Sequence, residues 1–281
     1  PAIADSFNNV GVIEAQNQKY AAAAGYFRQA ARWNPQMGGL DYNWGRAAFG
    51  AKDYRQAVIC LSRYMQLHPG DNRSRVPLGM SQFMLADYKS AIDTLAPLGP
   101  EIDTIPLLSY AYAESLVKAG NPDEGIDRLQ RLEAAHPDFE MAPAALGEAF
   151  LDRKQYQKAE SQLREVLRIH PANRNARFDL ALTLLALDRR DEAQKLLMQL
   201  AQSGEKSPDV YYQLGRIQMD RGDIDDAIVN FAAAANLAPK DESVRVALAS
   251  ACRRNNNPRR PECKISQNAG YASPSRHDGL H

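Results

Sequence analysis

Prolines stand at Pro35, Pro69, Pro137, Pro171 and Pro239, and the gaps between neighbours are 34, 68, 34 and 68 residues. The two missing beats fall on Asp103 and Glu205. A series of small residues keeps the same period: Gly11, Gly45, Gly79, Ala113, Gly147, Ala181, Gly215 and Ala249. A second series, twelve residues behind, runs through Ala23, Ala57, Ala91, Gly125, Ala159, Ala193 and Ala227. A fixed period of roughly 20–50 residues marks an array of supersecondary units, because one unit cannot bury its apolar face without a neighbour. The work of such an array follows from its extended surface, which suits it to holding other molecules.

Residues 207–240 show what one unit is made of. Tyr211, Leu214, Gly215 and Ile217 recur at helical spacing until Arg221-Gly222-Asp223 breaks the run. Ala227, Ile228, Phe231 and Ala234 form a second run that stops at Pro239. Apolar residues three and four apart give each helix one buried stripe. Gly215 and Ala227 must be small because the two helices approach there within a side chain of each other, and Pro239 cannot continue a helix. The same break recurs at Lys19-Tyr20, Asp53-Tyr54, Asp87-Tyr88, Asn121-Pro122 and Gln155-Tyr156, with the ring placed to pack over the helix–helix corner.

In these small, aromatic and proline positions the chain resembles the tetratricopeptide-repeat (TPR) family, over residues 4–257 as seven repeats plus the first helix of an aborted eighth, with 258–281 an irregular basic tail. The resemblance implies an all-α fold, a right-handed superhelical solenoid of antiparallel helix pairs whose first helices line a concave groove. Helix pairs are predicted near 4–17/20–33 and 38–51/54–67 and onward by 34, with no strand. Two departures are visible: Pro97, Gly99 and Pro100 interrupt the third repeat, disturbing 96–105, and the sixth closes on Gly204 and Pro208.

The chain has 34 basic and 34 acidic residues and a formal charge of +0, so no net field recruits nucleic acid or an anionic membrane. No apolar run approaches the roughly 18 residues of a membrane span, which argues against membrane insertion. No signal peptide is evident. The opening Pro1-Ala2-Ile3 is either the trimmed end of an exported protein or an arbitrary boundary, so cytoplasmic and exported locations both stay open. Cys60, Cys252 and Cys263 are odd in number and suggest no disulfide framework.

Nothing points to catalysis, a cofactor or a metal. His68, His136 and His170 precede the beat prolines at one equivalent position in different repeats. Packed helices stand about 8–10 Å apart, whereas zinc needs its donors at about 2 Å from one centre. These histidines therefore read as helix ends, where a cation favours the dipole. Acid pairs such as Asp191–Glu192 and Asp225–Asp226 open second helices for the converse reason. There is no phosphate-binding glycine loop, nucleophile elbow or Cys-x-x-Cys.

The informative chemistry lies on the inward face of the first helices. Counting from each small residue, it presents Tyr42, Arg46 and Phe49, then Met80 and Phe83 with Arg73 nearby, then Tyr110, Glu114 and Lys118, then Glu148, Phe178, and finally Tyr212 and Arg216. Aromatic and methionine side chains on a solvated concave surface are what peptide grooves use. Arginines stand near both ends, with Glu114, Glu148 and Asp152 between them. In co-chaperone members of the family an asparagine follows the small residue and clamps a terminal carboxylate. Here that place holds Val12, Arg46, Met80, Glu114, Glu148, Leu182 and Arg216, which argues against that clamp.

The eighth repeat stops early, since Pro261 takes its small-residue place and 262–281 show no helical period. The last helix, carrying Val244, Leu248 and Cys252, is then left uncapped, and the basic tail is expected to fold over it or against Glu114, Glu148 and Asp152. The function expected is a non-enzymatic scaffold that binds an extended peptide or partner segment. Two alternatives remain: a solenoid that self-assembles through its uncapped end as a homo-oligomer or filament, and the repeat region of a larger transferase or export machine.

Overall fold

A computed structural model describes residues 2–204, 206–255 and 261–263. Among the described residues there are helices and turns and no strand. In chain order the helices are α1 (Ala2–Gln16), α2 (Tyr20–Trp33), α3 (Leu40–Gly50), α4 (Tyr54–Leu67), α5 (Asn72–Met84), α6 (Tyr88–Leu95), α7 (Pro106–Lys118), α8 (Pro122–Ala135), α9 (Met141–Asp152), α10 (Tyr156–Ile169), α11 (Arg174–Ala186), α12 (Arg190–Gln202), α13 (Pro208–Arg221), α14 (Ile224–Leu237) and α15 (Glu242–Arg254). The chain forms two compact units, Pro1–Ala149 and Phe150–His281. In the first unit α1 packs on α2, α3 on α4, α5 on α6 and α7 on α8, and α2, α4 and α6 each also touch the following first helix. In the second unit α11 packs on α12 and α13 on α14, with α10, α12 and α14 each against the next helix.

Small residues allow these hairpins. A Cβ added to Gly11 would lie 2.7 Å from Phe27, one on Gly45 2.6 Å from Leu61, one on Gly79 2.5 Å from Leu95, and one on Gly215 2.7 Å from Phe231. Each glycine faces a large residue sixteen positions on, and those large residues are fully buried or nearly so. Across the crossing Ala23, Ala57, Ala91, Ala159, Ala193 and Ala227 are all 0% exposed. Small against large closes the core without a void, and close packing penalises a change in either.

The turn inside each hairpin repeats to the residue. Gln18, Lys52, Ala86, Gly120, Lys154, Asp188 and Gly222 all have positive φ, between 57° and 96°, and stand 34 apart. The N–H of the residue that follows always bonds back five residues, as Lys19 to the Glu14 carbonyl and Asp223 to that of Gln218, both at 2.9 Å. This left-handed closure satisfies carbonyls that a helix end leaves free. A side chain in that conformation costs about 1–2 kcal/mol that glycine avoids. Gly222→Ala is therefore expected to lose about 1 kcal/mol, while Ala86→Gly should be neutral or stabilising. Thermal unfolding of the two variants checks this, and a larger loss for Ala86→Gly would contradict it.

The expected interruptions are present. α6 ends at Leu95, and a 3-10 helix (Ala96–Thr104) follows, with Gly99 at φ 55° and ψ −128° inside it. Leu98 and Ile102 from this segment are nevertheless buried, so the shortened helix still fills its core. α12 stops at Gln202, and Pro208 opens α13 behind Ser207. The rings that open second helices pack as expected: Tyr54 stands 6.2 Å from Phe49, and Tyr88 6.2 Å from Phe83.

The C-terminal end corrects two expectations. Cys252 and Cys263 form a disulfide, with Cα atoms 5.8 Å apart, and Cys60 is the free, buried thiol left over. Residues 261–263 are helical, so the chain does not lose helical structure at Pro261. The reason is tertiary: Cys263, 1% exposed, packs into the cluster of Phe231, Val244 and Leu248 from α14 and α15. The rest of the tail, including Ile265, Tyr271 and Leu280, and the expectation that it covers an acidic stretch, lie outside the described residues.

Candidate peptide-binding face

In the first unit α1 lies against α3, α3 against α5 and α5 against α7. This is the first-helix face that the repeat register singles out. Between α1, α3 and α5 it opens into a cleft of about 460 Å3 walled by Val12, Gln16, Tyr20, Asn43, Arg46, Phe49 and Pro77. Gly50 belongs to the same wall, and a Cβ there would strike the Tyr20 ring at 2.7 Å.

Arg46 is exposed and held over the Tyr42 ring, 5.4 Å from its centre, while donating to the Tyr42 hydroxyl at 3.2 Å. Tyr42 packs tilted against Tyr64 at 5.1 Å, and Tyr64 likewise against His68 at 4.4 Å. The Tyr64 phenol is pushed up by desolvation and by its hydrogen bond to Asp71. Desolvation would raise Asp71 too, but the Arg73 N–H, the Tyr64 hydroxyl and Ser74 all donate to it and hold it below the usual carboxylate range. Arg73 itself is exposed beside this carboxylate.

Further along the unit, Phe83 meets Tyr110 edge-on at 5.9 Å, and Tyr110 meets Phe139 at 6.1 Å. Burial, and then the charges of Glu114 and Glu148, push the Tyr110 phenol up to about 12. Glu114 is only 7% exposed. Lys118 stands 3.7 Å from Glu114 and 2.5 Å from Glu148, so the middle of this face is a bridged pair of acids rather than a bare acidic stretch. Met80, 8% exposed, belongs to the core with Leu95, Leu98 and Tyr112. Met80 and Glu114 thus offer little surface to a ligand.

In the second unit Phe178 is half-buried against the cluster of Leu180, Leu184 and Leu197. Tyr212 lies 5.8 Å from Phe231 and completes the core around it, while Arg216 is exposed and contacts Gln213 at 3.4 Å. Of the proposed face, then, Tyr42, Arg46 and Phe49 come together, as do Phe83 and Tyr110. Lys118, counted on the same inward face, joins Tyr110 and Glu114 there, four residues after Glu114 at the spacing of helical ion pairs. Two contributors were missed. Tyr64 lies on a second helix and Phe139 in the loop before α9, where counting from the small residues of first helices does not reach.

Among the described residues no group of three or more His, Cys, Asp or Glu side chains could hold a metal ion. No described helix is long and apolar enough to cross a membrane.

Family profiles described as tetratricopeptide repeat match residues 110–174, 150–217 and 208–241. The chain is a tetratricopeptide-repeat protein. A further profile, for anaphase-promoting complex, cyclosome, subunit 3, matches residues 50–132. The BBSome complex member BBS4 homolog of Drosophila melanogaster is 21% identical over 188 residues, 66% of this chain and 39% of the relative. The chain therefore matches well under half the length of that curated relative. Among solved structures, a tetratricopeptide-repeat protein from Parabacteroides merdae superposes with a TM-score of 0.57 at 13% identity, covering 89% of this chain and 99% of that one. MamA from Desulfovibrio magneticus gives 0.51 at 18% identity, covering 58% of this chain and 89% of that one. At such identities the likeness is one of fold. A tetratricopeptide-repeat fold of this kind is a scaffold suited to protein–protein interaction.

Proposed function

We propose that this tetratricopeptide-repeat chain is a non-enzymatic scaffold that holds an extended segment of a partner protein against the first-helix face of its repeats. The observation that carries the reading is the run Phe83, Tyr110 and Phe139, each half-buried, beside the cleft at Arg46 and Phe49. These rings are rigid, Tyr110 adds a polar hydroxyl, and core packing leaves part of each to solvent, as in binding faces that anchor on aromatic residues. A relative named as a complex member supports work through protein contacts. An oxidising compartment fits the Cys252–Cys263 disulfide. The test captures the partner with a photo-crosslinker placed at position 110, then measures its affinity for Phe83→Ala and Tyr110→Ala. Each variant should lose about 2 kcal/mol, or roughly thirtyfold, with helicity intact by circular dichroism. Full affinity in both would move the contact off this face.

A second reading, self-assembly, is favoured by α1. Ile3, Val10 and Ile13 are 50%, 38% and 54% exposed there. One or more periods on from Val10, Leu78, Leu180, Leu214 and Leu248 are at most 4% exposed, so α1 presents a face that later repeats cover. Light scattering that shows growth with concentration, abolished by Ile13→Glu, would support assembly. A mass fixed at one chain across the series would exclude it.

A further inference from the structure

The cleft between α1, α3 and α5 carries an unbalanced charge. Arg46 is the one ionisable side chain with a full charge among its lining residues, and its polar contact is the Tyr42 hydroxyl. Three acids on or at the ends of the helices around it are held elsewhere. Glu14 faces Lys19 at 3.5 Å, Asp41 pairs with Arg63 at 2.9 Å, and Asp71 takes the Arg73 N–H at 3.0 Å. An exposed arginine is by itself ordinary. This one is held over a ring at the edge of a concave wall of mixed polar and apolar surface, where field lines concentrate and the guanidinium fork loses little freedom on binding.

From this charge and shape we infer that the cleft takes a partner segment in which an aspartate or glutamate side chain lies next to a bulky apolar residue. The carboxylate binds the outer edge of the Arg46 guanidinium, and the apolar neighbour enters between Val12, Phe49 and Pro77. The inference rests on the scaffold reading above and names the class of segment that this part of the face selects.

Random peptides displayed internally on phage, and so without a free carboxyl end, are selected on the full chain. Recovered peptides are then made with amidated ends, each with its acid or with the matching amide residue. Acid next to Leu, Ile, Phe or Met should dominate the selection, and the amide versions should bind about tenfold or more weakly, as for loss of a charge-assisted hydrogen bond. Arg46→Gln should erase that difference without shifting the melting temperature, and Arg46→Lys should restore part of it. Peptides without an acid, or an acid preference that survives Arg46→Gln, overturn the inference. If such peptides still weaken in Phe83→Ala, the scaffold reading stands without it. Binding only by versions with a free carboxyl end assigns the anion to a chain terminus and also overturns it. Peptides indifferent to Arg46→Gln and to Phe83→Ala alike overturn both readings.

Discussion

Phe231→Ala is expected to cost the second unit about 3–5 kcal/mol, the usual range for emptying a fully packed aromatic site. Phe231 is 2% exposed, fills the space over Gly215 and supports Tyr212 at 5.8 Å. Gly215→Ala fails in the opposite sense. Its new methyl would sit 2.7 Å from the Phe231 ring, and overpacking of this kind costs about 1–3 kcal/mol. The chain itself supplies the compensating pair, since Ala181 and Leu197 occupy the same two register positions and are both 0% exposed. The double variant Gly215→Ala/Phe231→Leu should therefore recover most of the loss of Gly215→Ala. Denaturant midpoints of the wild type, both singles and the double give the coupling directly. If alanine at 215 costs as much opposite leucine as opposite phenylalanine, the small-against-large account of the repeat is wrong.

Breaking Cys252–Cys263 should remove about 2–4 kcal/mol from the end of the second unit, because the bond closes a loop of sequence separation 11 and restrains the unfolded chain. Cys252→Ser/Cys263→Ser should melt earlier than the wild type, and reductant should lower the wild type to the same point while leaving the variant unmoved. Thiol counting gives an independent check. Cys60 is 0% exposed, and burial pushes its thiol up, so the native protein should not react. Unfolding without reductant should expose one thiol, and unfolding with reductant three. Three thiols in the unreduced, unfolded chain would contradict the bond.

The helical array could be read from the sequence because each repeat writes its constraints locally. Gly11, Gly45, Gly79 and Gly215 mark helix crossings, and the proline beat marks the exits between units. Pro97, Gly99 and Pro100 announce the 3-10 segment, since a second helix cannot run through them. The histidines at 68, 136 and 170 close their helices through their own N–H groups, bonding back to Tyr64, Leu132 and Val166. The candidate face was legible only in part. Register placed Arg46 and Phe49 on the inward side, but Met80 at the same kind of position is taken up by the core because Leu98 and Ile102 fold beneath it.

Period, small-residue positions and chain breaks were determined by the sequence alone, because a helix stripe or a helix end depends on residues within a few positions of one another. Distances between residues farther apart were decided by the tertiary structure. Lys118 bridges Glu114 and Glu148 only because adjacent first helices bring a residue 30 positions away within 2.5 Å. Cys263 reaches Cys252 because the chain doubles back onto α15, and three cysteines in a list carry no such information. The cleft at Arg46 likewise exists only where α1, α3 and α5 meet, with Glu14 and Asp41 engaged elsewhere. Which charge is left over depends on packing, because an ion pair is settled by separation in space rather than by order along the chain.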